Sequence, residues 1–173
     1  MALKRLPTLI ACIACCCQSG PLQAAIPELD MKSAYLYNFA KLTDWPVNNF
    51  PTFNICTLEK VADSVNPAIL LNKTINGKRV RLSRITEPAS AADCQIVYLN
   101  SLDTETVSKM AKTLNTEPVL TVGDEVNGTG PGIINLSVKN NRLVFSLDLA
   151  KARKANISIS SKLIPLAQKV HEQ

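Results

Sequence analysis

Histidine is nearly missing from this sequence: one, His171, in 173 residues, with only Glu172 and Gln173 after it. A chain end that usually frays is a poor place for a catalytic base. That scarcity excludes a Ser-His-Asp or Cys-His arrangement, and Ser160-Ser161-Lys162 lacks the Ser-x-x-Lys spacing of a lactamase-type nucleophile. Without a histidine pair, and with Cys56 and Cys94 far apart in sequence, there is no zinc half-site either; Cys12, Cys15, Cys16 and Cys17 imitate a metal cluster but lie in an apolar run, where they read as small hydrophobic residues. Glycine is also sparse, at six residues, and its one cluster, Gly128-Thr129-Gly130-Pro131-Gly132, is not followed by the Lys-Ser/Thr or the helix that a phosphate cradle needs. The cluster reads as a turn, or as backbone amides facing an anion. No apolar run is long enough to cross a bilayer. A strong charge of one sign is missing too. The formal charge is +5, but two basic residues, Lys4 and Arg5, fall in a segment expected to be removed, and the surplus of three that remains does not argue for nucleic acid. No cofactor or metal is called for, and no internal repeat or low-complexity segment is present.

What is present begins with a leader. Residues 1–25 run from Lys4 and Arg5 through an apolar stretch to Ala24 and Ala25, the layout of a secretory signal peptide. A rival reading takes Leu9-Ile10-Ala11-Cys12 as a lipoprotein processing box. Four of the six cysteines lie in the apolar stretch. Only Cys56 and Cys94 remain for the mature domain, 26–173, and in an exported chain the two are expected to pair, as a structural bridge or as a redox switch. If they pair, the strands carrying them lie close together.

The rest reads as a single α/β domain: a mixed sheet flanked by helices, with a C-terminal antiparallel hairpin followed by a short helix and a last helix. Met31, Tyr35, Phe39 and Leu42 fall on one helical face, and Pro46 forces the helix to stop near Asp44. Trp45, the only tryptophan, sits at that corner as a lid on the core or as a ligand or partner contact. Strands are expected at 53–58, 78–85, 95–99 and 118–122, with helices over 59–72 and from about Asp103 to Leu114. Arg79 and Arg81 alternate with Val80 and Leu82, making with Lys73 and Lys78 a small basic strip. The strip is either a solvated face or a site for an anion or an acidic partner. With Asn140-Asn141 as the turn, Val138 faces Leu143, Leu136 faces Phe145 and Ile134 faces Leu147. Asp148 can cap a short helix, and Ser160 or Ser161 starts a last one through Leu163, Ala167 and Val170. Asp44, Asp124, Glu125 and Asp148 could meet in space, but no spacing demands it. These residues describe an exported, disulfide-closed module without a visible catalytic apparatus, and so not an enzyme.

Tyr35-Leu36-Tyr37-Asn38-Phe39-Ala40-Lys41-Leu42-Thr43-Asp44-Trp45-Pro46 resembles the opening of the YfiR-like family. The likeness continues through Pro118 to Asp124, Gly132 to Leu136, and Val144 to Leu149 running on to Leu163. It implies a periplasmic α/β protein that binds the sensing part of an inner-membrane diguanylate cyclase and holds it inactive, with redox state and an outer-membrane lipoprotein as inputs. Cys56 and Cys94 match a family disulfide, and no second cysteine pair lies near Gly128 to Ile134. A homodimer is among the assemblies this reading allows. The alternative is a periplasmic small-ligand-binding module, with Trp45, the Arg79–Arg81 strip or the Gly128 loop forming a pocket.

Overall fold

A computed structural model describes residues 27–46, 49–126 and 129–172, so the segment expected to be a signal peptide, residues 1–25, lies outside the described residues, as do Val47, Asn48, Asn127 and Gly128. The first helix, α1 (Glu28–Lys41), carries Glu28 and Asp30 in its first turn and Lys41 in its last, charges that suit the helix dipole. The expected stripe packs inward, but the fully buried positions are Ser33, Leu36, Phe39 and Ala40, so the core face is turned slightly from Met31, Tyr35 and Leu42.

A two-residue strand, β1 (Thr43–Asp44), leads by way of Trp45 into β2 (Thr52–Thr57). The expected helix over 59–72 is two single turns, α2 (Val61–Ser64) and α3 (Pro67–Leu70). Pro67 cannot donate within a continuing helix, so the chain restarts there with Asn66 as the cap of α3. The hairpin β3 (Thr74–Ile75) and β4 (Lys78–Arg84) turns at Asn76-Gly77, both at positive φ. A 3-10 turn at Pro88–Ala91 precedes β5 (Ile96–Leu99). Then come α4 (Thr104–Leu114), capped by Asp103, and β6 (Leu120–Asp124). The hairpin β7 (Ile134–Lys139) and β8 (Arg142–Asp148) has the expected register, Val138 opposite Leu143, Leu136 opposite Phe145 and Ile134 opposite Leu147. Asn140 and Asn141 both take positive φ, as a two-residue turn of this hand requires. Asp148 caps α5 (Leu149–Lys154), and β9 (Ser158–Ile159) pairs back with β1.

The last helix is not there. Residues Ile164–Leu166 make one 3-10 turn, and β10 (Lys169–His171) then lies parallel to β8. The spacing of Leu163, Ala167 and Val170 imitates a helical stripe, but the open edge of β8 offers backbone partners that an isolated helical turn does not have.

The main sheet runs β10-β8-β7-β6-β5-β2-β4-β3. Its central five strands, β4-β2-β5-β6-β7, are all parallel and follow the doubly wound, flavodoxin-like order. Alternation along the strands divides the core in two. Phe53, Ile55, Ile96, Tyr98, Leu120 and Val122 face α1 and α5, while Cys56, Leu58, Val97 and Leu99 face α4 and the 3-10 turn. β5 contributes to both cores and has all four residues buried.

Candidate functional site

In a doubly wound sheet the usual ligand crevice lies beyond the carboxyl ends of the strands where the order reverses. Here that place is between β2 and β5, and side chains of the protein span it. The Leu58 N–H donates to Asn100 Oδ1 at 3.2 Å, Asn100 Nδ2 donates to Ser64 Oγ at 2.6 Å, and the Ser101 hydroxyl donates to Glu59 Oε1 at 2.8 Å. The polar groups at the switch point are spent on one another.

The glycine loop is similarly engaged. The Gly132 N–H donates to Asn135 Oδ1 at 2.8 Å, and Lys151 Nζ donates to the Gly130 and Gly132 carbonyls. A Cβ on Gly132 would stand 2.7 Å from the Thr121 and Ile134 backbone oxygens, which accounts for glycine at that position. Carbonyls held by a lysine have the wrong sign for an anion cradle, so among the described residues the loop is a structural turn.

One ionic cluster was not legible in the sequence. Lys32, on the inner side of α1, reaches Glu28 at 3.0 Å and Asp124 at 3.2 Å, and the Tyr98 hydroxyl lies 2.9 Å from both Asp124 oxygens. Burial alone would lower the Lys32 pKa, but Tyr98, Asp124 and Glu28 outweigh it and hold the ammonium above its usual value. Burial pushes the Tyr98 phenol up, and the Asp124 charge adds to the rise. Both groups keep their protons more tightly folded than unfolded, so the unfolded chain releases them first as the pH rises. The cluster therefore stabilises the fold below about pH 10 and loses that contribution above it. The urea midpoint of the wild type should fall more steeply between about pH 9 and about pH 11 than that of a Lys32→Met/Tyr98→Phe variant. Equal slopes would remove the cluster from the account. The other carboxylates do not join it: Asp148 caps α5, and Asp44 is exposed on β1.

The candidate site residues fall in two places. Cys56 and Cys94 form a disulfide with Cα atoms 6.0 Å apart, tying β2 to the turn that enters β5. Arg79 and Arg81 are exposed on β4, beside Thr52 and Asn54 of β2. Lys78 alternates to the opposite face with Val80, and Lys73 stands over the Tyr37 ring at 5.5 Å, so the strip is narrower than the sequence suggested. Trp45 is half-buried, its indole N–H donates to the Ala40 carbonyl at 2.9 Å, and its ring meets Phe53 edge-on at 5.2 Å. Its remaining surface lines a cavity of about 650 Å³ at the amino ends of the strands. Cys94 lines that cavity as well; Arg79 and Arg81 do not. The sequence could not have shown the cavity, because its walls come from Trp45, Pro46 and Phe50 together with segments near residues 88–95 and 113–119.

Among the described residues no three His, Cys, Asp or Glu side chains form a metal-holding group, and no helix is long and apolar enough to cross a membrane. Among the described residues the protein is thus a doubly wound α/β sheet whose switch point is closed, with a bridged flank, a basic strip and an apolar cavity. The chain belongs to the YfiR/HmsC-like family, whose model matches residues 29–168. That family implies a periplasmic regulator of diguanylate cyclase signalling. No curated protein matches the chain.

Proposed function

We propose that this protein is exported through the signal peptide at residues 1–25 and represses an inner-membrane diguanylate cyclase. It docks on the cyclase's periplasmic sensing domain, holds the inactive state and thereby lowers cyclic-di-GMP. Family membership over residues 29–168 is the observation that carries this reading. Docking can repress only through a higher affinity for the inactive state than for the active one. Arg79 and Arg81 supply a suitable contact: two exposed arginines on one face of β4, able to make forked bonds with carboxylates of a partner.

Deleting the gene in its host should raise cyclic-di-GMP several-fold, and the exported wild-type protein should reverse the rise. An Arg79→Glu/Arg81→Glu variant should fail to reverse it while keeping its stability to within about 0.5 kcal/mol, as is usual for exposed positions. No change on deletion, under conditions where the protein is made, would overturn repression. Full reversal by the charge-reversed variant would remove only the strip.

A further inference from the structure

We infer that the cavity beside Trp45 is a binding site for a small, uncharged, apolar ring compound. Its volume, about 650 Å³, lies in the range that small-ligand sites occupy. Trp45 and Phe50 form one wall, Leu114 and Val119 another, and the 3-10 turn at Pro88–Ala91 closes one side. These are flat or branched hydrocarbon surfaces, which gain most from a ligand that displaces water over a broad area.

The walls are also fixed in advance. Trp45 is held by its hydrogen bond to Ala40 and its edge contact with Phe53, and Cys94 is held by its bond to Cys56. Gln95 is 4% exposed, with its side-chain oxygen accepting from the Asn54 N–H at 2.7 Å and its amide donating to the Asp93 carbonyl at 3.3 Å. A preformed site spends little binding energy on ordering itself.

The polar lining sets the ligand's charge. The Thr113 hydroxyl already donates to the Lys109 carbonyl at 3.0 Å. Glu117 is the only ionisable side chain among the described lining residues, and no lysine, arginine or histidine joins it. An anionic ligand would meet a like charge and no cation. An uncharged ring compound meets neither penalty.

Trp45, as the only tryptophan, reports directly on occupancy. The neutral dye N-phenyl-1-naphthylamine, titrated into the mature protein, should bind saturably at one site and quench Trp45 emission by energy transfer. Its anionic relative 8-anilinonaphthalene-1-sulfonate should bind at least about ten-fold more weakly, and Glu117→Gln should narrow that gap. Ala89→Phe and Thr113→Phe each place a ring in the cavity from an exposed wall position, on different elements, so that one can be read if the other perturbs folding. Each should weaken the neutral dye at least about ten-fold with an unchanged urea midpoint. Non-saturable uptake, binding without quenching of Trp45, or unchanged affinity in both filled variants would overturn the assignment. None of these readouts involves cyclic-di-GMP, so they stand apart from the repression reading.

Discussion

A protein with both Cys56 and Cys94 replaced by alanine should unfold with about 4 kcal/mol less free energy than the wild type. The two cysteines are separated by 38 positions, and a cross-link over that distance removes loop freedom from the unfolded chain. The magnitude matters because a domain of this size has only about 5–15 kcal/mol to lose. Both sulfurs belong to the smaller of the two cores, under α4 and the 3-10 turn, and both residues are nearly inaccessible. Urea unfolding of the double variant and of the wild type in reductant should give closely similar midpoints, both well below the oxidised protein. A difference from the oxidised protein of less than about 1 kcal/mol would mean that the bridge constrains little.

Phe39→Ala should cost about 3–5 kcal/mol, a comparable loss from the opposite side of the sheet. Phe39 is 1% exposed on α1. Its ring meets Tyr35 at 5.6 Å and Phe145 of β8 at 5.1 Å, both edge-on, and Tyr35 meets Phe145 at 5.9 Å. The Tyr35 hydroxyl closes the arrangement by donating to the Leu143 carbonyl at 2.8 Å. Removing the central ring therefore leaves a void whose walls are fixed at both ends, by the helix and by the hairpin, and a site that cannot collapse lies toward the costly end of such substitutions. The test is the urea midpoint of the variant, with the transition slope confirming that the same surface is exposed. A loss below about 1.5 kcal/mol would show that the neighbouring rings close over the gap.

Features set by adjacent residues were open to reading from the sequence. Asn140-Asn141 fixes its hairpin by turn chemistry, Asp103 and Asp148 cap helices three or fewer residues away, and the alternation around Val80 places the arginines of β4 outward. The pairing of Cys56 with Cys94 followed from there being no other cysteine outside residues 1–25. What misled was periodicity without its partner. Leu163, Ala167 and Val170 have helical spacing, yet the Gln168 N–H donates to the Phe145 carbonyl and Val170 pairs with Leu147, because a sheet edge lay within reach. Lys32 gave no signal, since a lysine on α1 looks solvated until Asp124 and Tyr98 arrive from two distant strands. The parallel order brings them together, and crossover connections are not written in any local pattern.

The sulfur bridge has a consequence for how the chain survives damage. It closes a covalent ring from residue 56 to residue 94, and that ring contains the Arg79–Arg81 strip, the exposed turn at Asn76-Gly77 and the proline-led wall of the cavity. A protease that nicks the exposed turn releases no fragment, because both new ends remain tied to one molecule and each stays paired in the sheet. A nick in the loop between β6 and β7 lies outside the ring and leaves two pieces that the bridge does not join covalently. The segment bearing the proposed docking strip is thus the part of the protein that a single cut cannot remove.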